Sequence, residues 1–175
     1  MNHLTSRWFF YFCGMEKEVS TTVKVRFSDC DPIGHLNNVK YLDYMFNARE
    51  DHVETFYGFT YEEYTKMTGC TWIAIQNEIA YLKEVRYNTS VVISSKTIEV
   101  ADRTAKVEIL MKSLDEKTIH AVLWVTVIYF NVKTRKSEVH PEEIKETFNK
   151  FYVDLEQKDF QSRVKYLRSQ NARNS

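Results

Sequence analysis

This sequence predicts an α+β domain in which an antiparallel β-sheet covers one long α-helix, and three observations carry that prediction. A single long apolar stripe at helical spacing lies near the front of the chain, from Asn38 onward. The stretches that follow it alternate, or run apolar, at strand period and are joined by short turns, which calls for antiparallel pairing. The 175 residues suit one domain with tails, and neither a repeat nor a linker divides them. A helix with an apolar stripe needs a partner surface, and here the sheet must supply it.

In chain order, VSTTVKVRF at 19–27 alternates as a first strand, and SDCDPIG supplies the Asp, Pro and Gly of a tight loop. The period then changes. Leu42, Met45, Phe46, Val53 and Phe56 fall near one helical face, Asn37 or Asn38 caps the start, and Gly58 is placed to end the helix. YEEYTKMTG at 61–69 reads as a Tyr-rich connection. Ile73, Ile75, Ile79 and Tyr81 alternate in the next strand, and in VVISSKTIEV at 91–100 the apolar residues thin out mid-strand. Ala105, Val107, Ile109 and Met111 alternate against Lys106, Glu108 and Lys112, the pattern of a sheet with one wet face. The turn DEKT at 115–118 leads into a run at 119–132 that is apolar on both faces and therefore central. Pro141 followed by two glutamates starts a helix whose stripe is Ile144, Phe148 and Phe151. Beyond about residue 155 the chain is polar and basic, with Arg163, Lys165, Arg168 and Arg173, and reads as a solvated helix or frayed end. The expected division is an N-terminal extension at 1–18, the domain at 19–152 and a polar tail at 153–175.

Composition excludes several classes. Lys plus Arg (24) balance Asp plus Glu (24), so no global field recruits nucleic acid or an anionic membrane. Cys13, Cys30 and Cys70 are odd in number and widely spaced, which argues against a disulfide framework and a zinc site and for a reducing, cytoplasmic setting. The longest apolar run, AVLWVTVIYF at 121–130, is too short to span a membrane. RWFFYFCG at 7–14 lacks the length and small-residue cleavage site of a signal peptide, leaving an upstream extension or a partner-binding arm as its readings.

The chemistry concentrates in FSDCDPIGHLNN at 27–38. This loop ends where the long helix begins, and a helix start offers unpaired N–H groups and the positive end of the dipole to developing negative charge. Asp31, stiffened by Pro32, is the better placed acid to attack an electrophile held there or to deprotonate a water. By the residues alone a second reading stands beside this one: Asp29 and Asp31 bond their own turn, His35 orients the loop, and Asn37 and Asn38 only cap the helix. Cys30, between two carboxylates, has its thiolate disfavoured and reads as structural.

The run VRFSDCDPIGHLNNVKYLDYMFNARE closely resembles the first strand, loop and helix of the hotdog-fold acyl-CoA thioesterases of the 4-hydroxybenzoyl-CoA thioesterase-like family. The resemblance covers residues 25–50 by motif and about 19–135 by element order. It implies a hotdog thioesterase domain at 19–152, a homodimer or dimer of dimers whose sheets run on into one, and a site at the subunit interface. It also implies hydrolysis of acyl-CoA to free acid and CoA with no metal and no cofactor beyond the CoA of the substrate. Asp31 takes the place of the catalytic nucleophile or general base, and the amide at or beside Asn38 polarises the carbonyl. Gly34 and His35 shape the pocket, with Asn37 and Tyr41 beside them. Lys83, Arg86 and Arg103, near strand ends, are candidates for the nucleotide phosphates. A related branch carries its acid on the helix, so Glu50 and Asp51 enter as candidates, although a solvated or ion-paired helix face accounts for both. An acyl-carrier-protein thioesterase, a dehydratase and a non-catalytic acyl-thioester binder are the rival readings.

Overall fold

The structure, a computed structural model, describes residues 17–174. The expectations for residues 1–14 lie outside them. Strand β1 (Val19–Lys24) leads through a single 3-10 turn at Phe27–Asp29 into the opening loop and then helix α1 (Asn38–His52). Helix α2 (Tyr61–Thr68) follows, then the strands β2 (Cys70–Tyr81), β3 (Ser90–Val100), β4 (Thr104–Ser113), β5 (Ile119–Asn131) and the short β6 (Lys136–Ser137). Helices α3 (Glu142–Lys150) and α4 (Phe160–Asn174) close the chain. The strands form one antiparallel sheet in the order β1-β3-β4-β5-β2, with β6 on β5.

Helix α1 starts where Asn37 accepts the Val39 amide on its side-chain oxygen, 3.3 Å away, satisfying one orphan donor. Its buried face is Tyr41, Met45, Ala48, Arg49 and His52, one residue offset from the stripe expected from apolar residues alone. Met45 and Val53 are buried as expected and Leu42 and Phe46 partly so, but Phe56 is 48 % exposed. Two causes account for this. Arg49 and His52 find polar partners inside, and the helix ends in a wider π turn, Val53–Tyr57, that rotates Phe56 away before Gly58 stops it with φ of 83°. The α1 face meets Val91, Ile93, Val107, Ile109, Ala121 and Leu123 on the concave side of the sheet. Each Val, Ile and Leu among these contributes about 1.5–3 kcal/mol by leaving water.

Three expectations are corrected. The segment at 61–69 is not a plain connection but α2, held by a capping box in which Thr60 and Glu63 each accept from the other's backbone. Lys106, Glu108 and Lys112 share the pattern of one wet face, yet Glu108 is 0 % exposed, because the outer face of the sheet is covered. What covers it is α4, the stretch read as a solvated or frayed tail. Phe160, Val164 and Leu167 pack there on Leu110, Val122 and Trp124. Arg163 donates from Nε and Nη2 to the two Glu108 oxygens at 2.8 and 2.7 Å. The thinly apolar middle of β3, Ser94 to Thr97, is buried as well, with Ser95 bonded to Arg49 and His52 of α1 and Thr97 bonded to the backbone of Phe151 and Val153. Lys96 there pairs with Glu18 and Glu108, so residue 18, placed in the extension by the sequence, is tied to the sheet.

Candidate active site

The loop before α1 is built around Asp31. Its backbone N–H donates to the His35 carbonyl at 2.7 Å and its carbonyl accepts from Gly34 at 3.0 Å. Its Oδ1 accepts the amides of Ile33 and His35 at 3.0 and 2.9 Å. Gly34 turns the chain with φ of 81°, a conformation that costs an L side chain about 1–2 kcal/mol. The loop is thus locked by one oxygen of Asp31, and among the described residues no protein donor occupies the other.

Asp29 does a different job. Its Oδ2 accepts the Tyr44 hydroxyl at 2.8 Å, Lys40 stands 3.8 Å from its Oδ1, and its carbonyl accepts the Asn37 amide at 2.9 Å. It therefore fastens the loop to α1. Burial, and then the charges of Asp29 and Asp31, push the Cys30 thiol up from its ordinary value, so a thiolate is disfavoured there.

Asp31, His35, Leu36, Asn38 and Tyr41 line one depression of about 280 Å³ together with Tyr81, Leu82, Lys83 and Glu84. At its edge α1 begins. The Val39 amide is taken by the Asn37 side chain and the Lys40 amide by the Asn37 carbonyl at 2.8 Å. The Asn38 amide has no acceptor among the described residues. A carboxylate oxygen and a helix-start amide in one pocket are the parts that acyl transfer needs, a base or nucleophile and an oxyanion donor.

The other expected residues are placed less uniformly. Asn37 is the cap. Tyr41 is 2 % exposed and its hydroxyl accepts the Val85 amide at 3.1 Å, so it forms the pocket wall from within the core. Lys83 lies on the rim and is exposed; Arg86 is exposed and its backbone bridges to His35. Arg103 is not brought to this pocket within the chain. It sits beside Tyr129, bonded to Ser137 at 2.5 Å, whereas Lys83 sits beside His120. Tyr129 lies nine positions after His120 along β5, about 30 Å. Glu50 and Asp51 are exposed, well along α1 from its start. Sequence reasoning missed Tyr81, whose hydroxyl donates to the Asn38 carbonyl at 3.0 Å and whose ring meets Tyr41 edge-on at 5.1 Å. Only its place at the end of an alternating strand hinted at it. Among the described residues no group of His, Cys, Asp or Glu is arranged to hold a metal.

A long helix gripped by an antiparallel sheet is the hotdog fold of thioesterases. The chain belongs to the thioesterase-like superfamily, whose pattern matches residues 25–148. No curated protein matches it in sequence. Among solved structures it is similar to YbaW, a probable thioesterase from Escherichia coli, at 20% identity and a TM-score of 0.67, covering 75% of this chain and 97% of that one. A Staphylococcus aureus protein in complex with CoA aligns with a TM-score of 0.73 at 14% identity over 85% of this chain and 92% of its own. The 12:0-ACP thioesterase of Umbellularia californica aligns with a TM-score of 0.70 at 14% identity over 86% and 62%. At these identities the structures share the fold, and the family match supports thioester hydrolysis. No helix among the described residues is long and apolar enough to cross a membrane.

Proposed function

We propose that the protein cleaves acyl-CoA thioesters to the free acid and CoA at the pocket between the opening loop and α1. The observation that carries this is the division of labour in Asp31, with one oxygen clamped by two loop amides and the other free beside the unpaired Asn38 amide. The substrate carbonyl sits with its oxygen toward that amide, which stabilises the negative charge of the tetrahedral intermediate. The free Asp31 oxygen either attacks the carbonyl carbon, expelling CoA thiolate and leaving an anhydride for water to open, or takes the proton of a water that attacks instead. Mass analysis of Asp31 after one turnover in heavy-oxygen water identifies an anhydride opened at the Asp31 carbonyl by label in the side chain, and trapping of the acylated Asp31 identifies one opened at the acyl carbonyl. His35 and Gly34 shape the loop, and Lys83 on the rim and Arg86, bridged to His35, take the nucleotide phosphates.

The functional unit of this reading is a homodimer, paired once or into a dimer of dimers. β2 is an edge strand whose Ile73 and Ile75 are 40 % and 56 % exposed, an unpaired apolar edge of the sort proteins cover. Pairing two copies there closes the open side of the pocket. Cys30 and Cys70 are free thiols, in keeping with a reducing, cytoplasmic setting. The test is thiol release from a panel of acyl-CoAs by wild type and Asp31→Asn. Release that vanishes in the variant supports the proposal. Release that survives it removes Asp31 from the chemistry, and none from any CoA ester favours a carrier-protein substrate or a binder without turnover.

A further inference from the structure

A second cavity, of about 200 Å³, lies farther along the seam between α1 and β2. Its walls are apolar and aromatic, among them Phe46, Val53, Phe59, Trp72 and Phe148, yet Arg49 also lines it. Arg49 is 8 % exposed. Its Nη1 donates to Ser95 Oγ at 3.2 Å and its Cζ stands 4.6 Å over the ring of Tyr57. No carboxylate pairs with it among the described residues. A guanidinium only donates, so Ser95 passes its own proton to His52 Nδ1 at 2.8 Å, and His52 Nε2 donates to Thr21 Oγ1 at 3.1 Å. Burial and then the Arg49 charge hold His52 down to about 4, so this chain of partners is neutral at pH 7. Burial likewise keeps the Tyr61 phenol neutral.

A buried cation whose partners are the hydroxyls of Ser95, Tyr57 and Tyr61, with no carboxylate beside it, keeps its full charge at the wall of an otherwise greasy cavity. Such a place suits an apolar ligand that ends in an anion. The cavity exceeds the roughly 150 Å³ void that holds a benzene ring. Arg49 stands eleven residues after Asn38 on the same helix, about 16 Å along its axis. Asn38 and Tyr41 of α1 with Tyr81 of β2 line the first pocket, and Phe46 and Arg49 of α1 with Trp72 and Ala74 of β2 line the second. An acyl chain whose thioester is at Asp31 and which follows this seam brings its far end to Arg49.

We infer that the preferred substrates are medium-length acyl thioesters whose acyl chain ends in a carboxylate, with Arg49 as the specificity-determining residue. This rests on the thioesterase reading for the position of the thioester; the charged cavity itself does not. Two CoA esters of equal chain length, one ending in a methyl and one in a carboxylate, test it. Wild type should favour the carboxylate-ended ester in kcat/KM, and in Arg49→Met the ratio between the two should fall about 10- to 100-fold, the worth of a charged hydrogen bond. Wild type favouring the methyl-ended ester, or a ratio unchanged in Arg49→Met, would overturn the inference. Wild type alone decides the sign if the variant does not fold. Should neither ester be cleaved, calorimetric titration with a medium-chain carboxylic acid and with its methyl ester reads the cavity without chemistry. Binding of the acid alone supports the charged cavity and sinks only the thioesterase reading, whereas equal binding, or none, overturns the role of Arg49.

Discussion

Replacing Arg163 with methionine removes a guanidinium from α4 while leaving a stem of similar size to pack. Glu108 then loses two hydrogen bonds, at 2.8 and 2.7 Å, and remains 0 % exposed. Trp124 Nε1 at 2.8 Å and Lys96 at 3.4 Å are its remaining partners. Lys96 also serves Glu18, so its charge is shared and cannot replace the bidentate pair. Removing one member of a buried pair costs about 3–5 kcal/mol, most of it the penalty of the stranded charge. At about 2–4 °C per kcal/mol for a chain of this size, Tm should fall by about 6–20 °C. Urea and thermal unfolding followed by circular dichroism measure it. The double variant Glu108→Leu/Arg163→Met, which strands no charge there, should recover most of the loss. A single variant costing less than about 1 kcal/mol, the range of surface pairs, would refute the reasoning, as would a double variant no better than the single.

Other outcomes follow from the loop and the core. Gly34→Ala should cost about 1–2 kcal/mol from its positive φ and lower kcat with it, because the displaced loop carries Asp31; thiol release and urea unfolding on one preparation read both. Asp29→Asn, which loosens Tyr44 and Lys40, should cost about 1 kcal/mol in stability and leave measurable turnover, in contrast to Asp31→Asn. Acid should destabilise the fold in two steps. His52 is neutral in the folded state down to about 4 while the unfolded chain takes up its proton near 6.5, so stability is lost as pH falls between those values. Glu18, which burial would push up but Lys96 and Lys112 hold down at about 2, adds a loss below its unfolded value near 4.5. Urea midpoints from pH 7 to 4 should show the first step, and His52→Gln should flatten it. Ile75→Lys on the β2 edge should shift sedimentation from dimer toward monomer.

The parts of this protein legible in one dimension are those whose signal is local. Asn37 caps α1 and Gly58 ends its last turn because both act within a few residues of themselves. The antiparallel sheet followed from short turns, and the interior place of β5 from its two apolar faces. The loop of Asp31 was readable because Pro32, Gly34 and the helix start sit together in sequence. At α2 the local signals conflict: Thr60 and Glu63 have the spacing of a capping box, while the tyrosines around them suit a connection.

Tertiary structure alone decided which polar residues lie inside. Lys106, Glu108 and Lys112 look alike in the pattern, and only Glu108 is fully buried, because Arg163 arrives from 55 residues away. The sheet closes over Arg49 and leaves its charge at the wall of an apolar cavity. Tyr81 reaches the Asn38 carbonyl only because β2 ends beside the start of α1. The sequence by itself determined the fold class and the loop that carries Asp31, since periodicity, caps and turns are short-range. The burial of charge, the docking of α4 and the walls of both cavities depend on long-range contacts, whose partners no local pattern names.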